Sequence, residues 1–251
     1  MGVGQAWYQL NEHFWTIQGE GEHAGRTAVF LRLQGCPVGC PWCDSKLTWY
    51  AGGARRTVDE LLAIMHDYPD SELIVITGGE PLIHNLDPLL EALHATFPTR
   101  ETHLETSGAY PFKGALRPKW VTLSPKAVAN WHVADNVLTR ASELKYVVDE
   151  QYDPAATLTH LAHHAALRDG PSPPVRLMPE GAPPRREMVD RTLQLLAAHP
   201  TWRFGPRLQY DYPSVTALEG INNKQVSIAE ARAAARALRR GGAPAVGVSA
   251  D

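Results

Sequence analysis

Residues 28–43 read AVFLRLQGCPVGCPWC, a short apolar run that leads directly into three cysteines. The apolar run is typical of a buried β-strand. Cys36, Cys40 and Cys43 follow it, separated by three and then by two residues. With this spacing one tight loop can direct three soft sulfur ligands at a single centre, and thiolates favour iron–sulfur clusters or zinc. The stretch therefore predicts a metal-binding loop at the end of a strand.

Further strands and helices alternate along the chain. Strands are predicted over residues 28–33, 73–77, 102–106, 120–123, 143–148 and 175–178, and helices over residues 57–66, 86–96, 152–167 and 185–198. Thr57 and Glu60 form the capping-box pattern that opens the first helix. The alternation predicts an α/β fold with a largely parallel sheet, in which sites are built where the strands end. A chain of 251 residues is expected to form one domain, over residues 1–251.

The composition excludes several classes of protein. The formal net charge is −3, so the positive surface of a nucleic-acid-binding protein is not expected. No apolar run is long enough to span a membrane, and residues 1–10 lack the pattern of a signal peptide. The three cysteines share one short window and suggest no disulfide framework. These features predict a cytosolic protein that acts on a small molecule.

The number of thiol ligands leaves two kinds of metal centre open. On a four-iron cluster, three cysteines leave one iron without a protein ligand, which is an open position for a small molecule. A structural zinc ion needs four protein ligands. His23 is the nearest upstream histidine and could complete a Cys3His zinc site. Ligand spacing alone does not separate these alternatives.

A glycine motif follows another predicted strand. Gly78-Gly79-Glu80-Pro81 comes directly after residues 73–77. Glycine allows the backbone to approach a ligand closely, although a pair of glycines is also common in tight turns. Together with the CxxxCxxC pattern and Trp42, this motif resembles the signature of radical S-adenosylmethionine (SAM) enzymes. In these enzymes the cysteines hold a 4Fe-4S cluster whose open iron chelates SAM, and the glycine motif binds the methionine ammonium through its backbone and its glutamate.

A longer ordered set of motifs resembles the 7-carboxy-7-deazaguanine synthase family. The set comprises residues 14–21 (FWTIQGEG), 25–36 (GRTAVFLRLQGC), 43–45 (CDS), 78–81 (GGEP), 105–108 (ETSG), 123–126 (LSPK) and 143–145 (ELK). No single motif is specific, but their order is typical of this family. The resemblance covers about residues 8–180.

The resemblance implies a fold, a reaction and cofactors. The fold is the incomplete TIM-type barrel of radical SAM enzymes with a C-terminal helical extension, and the cofactors are a 4Fe-4S cluster, SAM and Mg²⁺. The family converts 6-carboxy-5,6,7,8-tetrahydropterin to 7-carboxy-7-deazaguanine with loss of ammonia, on the route to deazapurines such as queuosine. A 5′-deoxyadenosyl radical made from SAM takes a hydrogen from the substrate, so no side chain is expected to act as acid or base. Flavodoxin or ferredoxin is the expected reductant, and a homodimer is the expected assembly.

The resemblance also assigns roles to individual residues. Cys36, Cys40 and Cys43 match the cluster ligands and Ser45 a magnesium ligand. The positions matched to SAM contacts are Trp42, Cys43, Asp44, Gly78, Gly79, Glu80, Ser124, Pro125, Lys126, Leu177, Met178, Pro179 and Glu180. The positions matched to substrate contacts are Ile17, Gln18, Gly19, Arg32 and Thr77, the first three through their backbone against the pterin ring.

Several of these residues also have a structural interpretation. A guanidinium such as that of Arg32 can bind a carboxylate through two charge-assisted hydrogen bonds, but it could equally form a salt bridge in solvent. Trp42 could belong to the core, and Ser124-Pro125 could be a turn. Lys126 could be a solvated charge on a loop.

The chain departs from the family pattern in three places. Ser45 replaces the threonine of the family's Cys-Asp-Thr, which keeps a hydroxyl for Mg²⁺ but loses a methyl group that restricts the side chain. Residues 177–180 read LMPE where the family has Gln-Pro-Met-Asp. Residues 209–212 read QYDY where the family often has Gln-x-His-Lys, and the chain continues to residue 251. Residues 226–251 are expected to include an amphipathic helix that packs on the barrel or against a second copy.

Two other functions fit parts of the pattern. A glycyl-radical activase shares the cysteine and glycine motifs but acts on a partner protein, and Gln18 and Arg32 argue against it. A non-catalytic zinc or electron-carrying module would need only the cysteines. Zinc protein purified without oxygen is colourless, and an electron carrier does not cleave SAM.

We expect alanine at Cys36, Cys40 or Cys43 to abolish both the colour of the cluster and the enzyme activity, because two thiolates cannot hold a cluster that needs three. Iron content, visible absorbance and product formation after anaerobic reconstitution measure the outcome. Full iron and full activity in any one variant would contradict the ligand assignment.

Overall fold

A nine-stranded sheet forms the centre of the computed structural model, which describes residues 6–50, 52–68 and 70–211 apart from the side chain of Asp211. The strands are β1 (Trp7–Ile17), β2 (Thr27–Leu33), β3 (Ala54–Thr57), β4 (Leu73–Gly78), β5 (Glu101–Thr106), β6 (Trp120–Leu123), β7 (Glu143–Val148), β8 (Val175–Pro179) and β9 (Arg203–Phe204). Their order across the sheet is β3-β1-β2-β4-β5-β6-β7-β8-β9. β1 is antiparallel to both neighbours, and every pair from β2 to β9 is parallel. The predicted α/β class with a largely parallel, incompletely closed sheet is confirmed.

Helices connect most of the parallel strands. They are α1 (Val58–His66), α2 (Asp87–Thr96), α3 (Asp135–Leu138), α4 (Pro154–Leu167), α5 (Arg186–Ala198) and α6 (Leu208–Asp211), with short 3-10 turns at Lys46–Trp49, Pro81–Ile83 and Ala127–Ala129. The predicted capping box opens α1, where the Thr57 Oγ1 accepts the Glu60 N–H at 3.2 Å and the Glu60 Oε2 accepts the Thr57 N–H at 2.7 Å. The six strands and four helices predicted between residues 28 and 198 are present, with ends that differ by no more than two residues.

The strands that the sequence analysis missed, β1, β3 and β9, lie at or next to the edges of the sheet. β1 interleaves polar residues such as Gln9 and Glu12 with the buried Tyr8 and Phe14, so it contains no continuous apolar run. β3 is short and exposed over most of its length. Strands of this kind leave little trace in a search for buried apolar segments.

The two faces of the sheet differ in chemistry. Because alternate residues of a strand point to opposite faces, one set of positions packs under the helices and forms the main hydrophobic core. Val29 and Leu31 of β2 and Ile74 and Ile76 of β4 belong to this outer set. The inner face carries a smaller apolar cluster, Phe14, Ala28, Phe30, Leu73 and Val75. Toward the C-terminal ends of the strands, the inner-face positions carry polar side chains instead. These residues are Arg32, Thr77, Glu105 and Lys145.

A buried carboxylate organises the inner face near the N-terminal ends of β6, β7 and β8. Glu143 is 1% exposed and accepts hydrogen bonds from the Thr122 hydroxyl at 2.7 Å and the Trp120 indole at 3.3 Å. It also accepts the Glu22 N–H at 2.9 Å and pairs with Arg176 at 3.3 Å. Buried charge is stable only when it is paired and hydrogen-bonded, so this network fixes the loop between β1 and β2 to the opposite wall.

Some expectations lie beyond the described part of the chain. The amphipathic helix expected within residues 226–251 is outside the described residues. The single domain over residues 1–251 stays a prediction. Within the described residues, no helix is both long enough and apolar enough to cross a membrane.

Candidate active site

The three cysteines lie together in a tight loop directly after β2. Cys36 and Cys40 are buried and Cys43 is half-buried. The loop turns at Gly35 and Gly39, whose φ angles of +100° and +71° favour glycine. The Cys43 N–H closes a turn onto the Cys40 carbonyl at 3.1 Å. The loop that the sequence predicted is therefore present at the predicted strand end.

The thiols interact with one another and lie in an apolar environment. Burial raises the pKa of Cys36 to about 12, with further contributions from Glu80 and Cys40. Burial also raises the pKa of Cys40 and of Cys43. For Cys43 the neighbouring Asp44 and the two other cysteines add to the increase. Iron binding must remove these thiol protons, because the thiolate is the ligand.

His23, the histidine that could complete a zinc site, packs within a group of aromatic rings. His23 packs against the rings of His103 and Trp120, with ring centroids 4.6 and 4.4 Å apart. Among the described residues, no three histidine, cysteine, aspartate or glutamate side chains converge as ligands of one metal ion. One zinc ion requires such convergence within Zn–S bonds of about 2.3 Å. On a four-iron cluster each cysteine binds a different iron, so the thiols can stand farther apart.

The glycine motif lies directly against the cysteine loop. The Gly79 N–H donates to the Leu33 carbonyl at 3.0 Å and the Glu80 N–H to the Gly35 carbonyl at 2.8 Å. A β-carbon at Gly78 would lie 2.2 Å from the Leu33 carbonyl oxygen, and one at Gly79 would lie 2.1 Å from that of Gly35. Glycine is therefore required for the two loops to pack together, and the ordinary-turn interpretation is insufficient.

Glu80 has several protein partners. The residue is 1% exposed, and its carboxylate accepts hydrogen bonds from the Leu82 N–H at 3.1 Å, the Thr106 hydroxyl at 2.6 Å and the Ser107 N–H at 2.9 Å. The Ser107 hydroxyl is a further donor. Glu80 thus ties the glycine motif to the end of β5. A role toward a methionine ammonium stays a prediction.

The Ser124-Pro125-Lys126 loop lies across the cysteine loop from the glycine motif. The Lys126 Nζ lies 5.0 Å from the centroid of the Trp42 ring and donates to the Ser124 hydroxyl at 2.6 Å. The Trp42 indole donates to Asp149 at 2.8 Å. Burial lowers the pKa of Lys126. Lys126 is therefore a half-buried side chain held over an aromatic ring and is not a freely solvated charge.

A cavity of about 300 Å³ opens beside Trp42. It is lined by Pro41, Trp42, Asp149, Glu150, Gln151, Glu180 and Arg185. This volume is near the lower end of the range for small-molecule sites. Arg185 spans its rim between the Glu150 and Glu180 carboxylates, with 2.7 Å to each.

The segment 177–180 is divided between core and site. The Leu177 side chain belongs to the main hydrophobic core, under the helices. Met178 points to the opposite face, where it contacts Gly205. Glu180 lines the cavity, and its N–H donates to the Val148 carbonyl at 2.9 Å. The Leu177 side chain is therefore not available to a ligand, and this residue could contact one only through its backbone.

The matched substrate residues come together on the inner face. Arg32 pairs in register with Thr77 across β2 and β4. The Thr77 hydroxyl donates to Glu105 Oε2 at 2.9 Å, and the Gln18 side-chain amide donates to Glu105 Oε1 at 3.1 Å. Glu105 was not among the predicted site residues, although it begins the ETSG motif. Its position as the penultimate residue of β5, pointing to the inner face, is the signal that could have found it.

Arg32 forms the salt bridge that the structural interpretation predicts, but the pair is largely shielded from solvent. Its side chain is 15% exposed, and its Nε donates to Glu12 Oε1 at 2.7 Å. Burial opposes the charge, but Glu12, Asp44 and Glu105 together raise the pKa of Arg32. Its Nη1 and Nη2 groups make no hydrogen bond within the described part of the chain. The forked end of the guanidinium is therefore open to a ligand.

The segment 17–19 is held by the β1–β2 hairpin. The Gln18 N–H donates to the Arg26 carbonyl, and the Gln18 carbonyl accepts the Gly25 N–H, both at 2.8 Å. The Gly19 carbonyl accepts the Leu208 N–H at 3.0 Å. The Gln18 N–H is thus already hydrogen-bonded within the protein. A backbone N–H that donates to a ring would therefore belong to a neighbouring residue.

A buried ion pair beside this segment was not predicted. Lys145 Nζ lies 2.7 Å from Glu20 Oε2, and the two side chains are 8% and 16% exposed. Burial alone would lower the pKa of Lys145, but Glu20 and Glu105 outweigh it and the pKa is raised. Burial alone would raise the pKa of Glu20, but Lys145 outweighs it and the pKa is lowered. Both groups are therefore charged inside the barrel.

Comparison with known proteins identifies the class that this fold and site define. The Radical SAM superfamily profile matches residues 31–130, which include the cysteine loop, the glycine motif and the Ser124-Pro125-Lys126 loop. The chain therefore has the catalytic core of a radical SAM enzyme. This class uses a 4Fe-4S cluster together with SAM, in agreement with the cofactors expected from the sequence.

Individual relatives define the family within this class. A 7-carboxy-7-deazaguanine synthase from Synechocystis sp. is 39% identical over 199 residues, which cover 78% of this chain and 88% of that protein. One from Escherichia coli is 38% identical over 168 residues, covering 58% of this chain and 74% of that protein. The crystal structure of QueE from Escherichia coli matches with a TM-score of 0.66 and 31% identity, covering 81% of this chain and 95% of that one. The chain belongs to the 7-carboxy-7-deazaguanine synthase family, a family of radical SAM lyases.

We expect Gly79→Ala to reduce cluster content several-fold, because the added β-carbon would lie 2.1 Å from the Gly35 carbonyl oxygen and 2.8 Å from the Cys36 β-carbon. Iron and sulfide content after reconstitution measure the effect. Gln194→Ala is the control, since Gln194 is exposed on α5. Equal cluster content in both variants would show that the contact between the loops does not position the cysteines.

Proposed function

We propose that this chain converts 6-carboxy-5,6,7,8-tetrahydropterin to 7-carboxy-7-deazaguanine with loss of ammonia, in the biosynthesis of deazapurines such as queuosine. The family relationship supports the reaction. The observation that carries the assignment of the substrate is the open guanidinium fork of Arg32 on the inner face. Two parallel N–H groups are the donors that bind a carboxylate best, and the substrate carries a carboxylate at C6.

The residues around the cysteine loop fit the two cofactors. The three thiols lie in one loop, the glycine motif packs directly against that loop, and Lys126 adds a positive charge over the Trp42 ring. Cys36, Cys40 and Cys43 would hold the cluster, while the glycine motif, Trp42 and the Ser124-Pro125-Lys126 loop would hold SAM. When bound, the cluster and SAM supply the 5′-deoxyadenosyl radical that removes a hydrogen atom from the substrate. The protein's own part is to orient the reactants and to exclude water.

The inner face would orient the pterin. Arg32 would pair with its carboxylate, which leaves the ring to face Thr77 and the Glu105 carboxylate on the neighbouring strands. The backbone of Ile17 and Gly19 would meet the ring from the hairpin. These contacts would orient the ring, and abstraction of the hydrogen atom would depend on the cofactor.

Mg²⁺ would bind at Ser45. Its hydroxyl donates to Asp44 Oδ1 at 3.2 Å, and its oxygen lone pairs remain able to coordinate a metal. Hard cations such as Mg²⁺ select oxygen ligands, and Mg²⁺ often bridges a protein oxygen to a substrate oxygen. The carboxylate of the pterin would supply the second oxygen.

Three further features of the proposed enzyme come from the sequence and the family. Flavodoxin or ferredoxin would deliver the electron, two copies of the chain would form a homodimer, and the enzyme would work in the cytosol. Analytical ultracentrifugation and electron-transfer assays with purified flavodoxin or ferredoxin would test the first two directly.

The decisive experiment is anaerobic incubation of the reconstituted protein with SAM, Mg²⁺, dithionite and 6-carboxy-5,6,7,8-tetrahydropterin. Mass analysis should detect 7-carboxy-7-deazaguanine and released ammonia, with little net consumption of SAM because it is regenerated in each cycle. Reductive cleavage of SAM without conversion of the pterin would overturn the proposed substrate while leaving the enzyme class intact.

We expect Arg32→Ala to weaken substrate binding by about 2 to 5 kcal/mol, because the substrate carboxylate would lose a charge-assisted contact in a site that excludes water. Arg32→Lys should recover only part, since an ammonium keeps the charge but loses the fork. Substrate affinity and substrate-free SAM cleavage are measured separately, and the second should persist. Arg56→Ala is the control, because Arg56 pairs with Glu60 on the surface. Unchanged affinity, or loss of both activities together with the cluster, would assign Arg32 a structural role.

Replacing Ser45 tests the magnesium site. Ser45→Ala should slow turnover and flatten its dependence on Mg²⁺, because only this change removes the oxygen ligand, whereas Ser45→Thr should preserve both. Initial rates over a range of Mg²⁺ concentrations give the comparison. The same magnesium dependence in Ser45→Ala and the parent enzyme would remove Ser45 from the metal site.

A further inference from the structure

One short segment near the end of the described chain touches three separate parts of the candidate site. We call residues 207–210 the strap. The Arg207 guanidinium donates to the Pro179 carbonyl at 2.7 Å and also to the Gly181 carbonyl. The Leu208 N–H donates to the Gly19 carbonyl at 3.0 Å. The strap therefore joins the loop after β8 to the hairpin between β1 and β2.

The next two residues of the strap continue these connections through their side chains. The Gln209 amide donates to Glu20 Oε1 at 2.7 Å, and the Tyr210 hydroxyl donates to Asp44 Oδ2 at 3.3 Å. The Arg207 guanidinium stacks on the Tyr210 ring, 4.6 Å from its centroid. One continuous segment is thus bonded to residues matched to the substrate and to residues matched to SAM.

The contact with the hairpin depends on an absent side chain. A β-carbon at Gly19 would lie 2.2 Å from the Gln209 side-chain oxygen. Glycine at position 19 therefore permits the strap to lie directly on the segment that the proposed function places against the pterin ring.

Glu20 is held from two directions. Lys145, on the barrel wall, contacts its Oε2, and Gln209, on the strap, contacts its Oε1, each at 2.7 Å. Arg207 also contributes favourably to the charged state of Glu20. A carboxylate held at both oxygens has a fixed orientation. This restrains the backbone to which the side chain is attached. These two contacts add to the hairpin hydrogen bonds in positioning residues 17–20.

We propose that Gln209 is a positioning residue for the pterin, which acts by fixing Glu20 and hence the backbone of Ile17 and Gly19. Tyr210 secures the other end of the strap at Asp44, beside the cluster loop. Gln209 touches neither the reacting atoms nor the cofactors, and its effect is transmitted through the hairpin. This inference rests on the proposed function, because it takes the pterin as the ligand of residues 17–19.

The proposal predicts a selective loss of substrate binding. Gln209→Ala removes the donor to Glu20 and should weaken binding of 6-carboxy-5,6,7,8-tetrahydropterin about tenfold, as expected for one charge-assisted hydrogen bond. Gln209→Glu should weaken it further, because it places a second carboxylate beside Glu20. Tyr210→Phe should have a smaller effect in the same direction. KM should rise in this order while kcat changes less than KM.

Binding is measured by equilibrium dialysis of the pterin against reconstituted, unreduced enzyme with SAM, which requires no turnover. Steady-state rates and substrate-free reductive SAM cleavage are measured on the same preparations, and SAM cleavage should stay within twofold of the parent. Gln194→Ala is the matched control, since Gln194 is exposed on α5. It should match the parent in every measurement.

The outcomes separate this inference from the function on which it rests. Parent enzyme that cleaves SAM but neither binds nor converts the pterin would overturn the proposed function. Parent enzyme that converts the pterin, with Gln209→Ala equal to it in affinity, would overturn the role of Gln209 alone. Loss of cluster, SAM cleavage and pterin binding together in Gln209→Ala would also overturn it, because the strap would then be a general structural element.

Discussion

The position of the cysteines depends on direct backbone contact between two loops. The Gly79 N–H reaches the Leu33 carbonyl and the Glu80 N–H reaches that of Gly35, which continues the parallel pairing of β2 and β4 beyond its last pair, Leu33 and Gly78. Side chains at Gly78 or Gly79 would occupy the same space as these carbonyls. The hydrogen bonding of the sheet therefore continues into the two loops. These bonds hold the cysteine loop in a fixed position relative to the strands beneath it. Catalytic groups carried on rigid elements in this way are held more precisely than groups on isolated loops.

The inner face places several charges in a buried environment, and their pairing distinguishes structure from binding. Glu143 is surrounded by donors from four residues, and Lys145 is paired with Glu20. The charges of these buried groups are therefore compensated by partners within the protein. Arg32 differs, because its Nε is paired with Glu12 while its fork is open. An anionic ligand gains most binding free energy from a largely buried cation that has unused hydrogen-bond donors. Within the described inner face, Arg32 is distinguished by having such donors.

The sequence predicted the parallel part of the fold well, because its strands are buried on both faces near their centres and form short apolar runs. It missed β1, whose alternation of Gln9 and Glu12 with buried residues belongs to a strand with one open face. The cysteine loop and the glycine motif were found because their chemistry depends on local spacing. Glu105, Lys145 and Gln209 were missed as site residues because their partners lie far along the chain. Gln209 and Glu20, for example, meet across 189 positions, and no local pattern encodes that contact.

The departures from the family pattern all fall where the fold can accommodate them. The outer face of the sheet is committed to packing under the helices, as the Leu177 side chain illustrates. Met178 and Pro179 are the last residues of β8, and Ser45, Glu180 and the strap lie in segments beyond the C-terminal ends of strands, where sequence can vary without disturbing the core. The residues of the site that depart from the family pattern thus lie mainly in loops. Arg32, Thr77 and Glu105, in contrast, lie on strands at the inner face. The strap bonds at once to the loop after β8, to the β1–β2 hairpin and to Asp44, so its contacts link these three variable segments to one another.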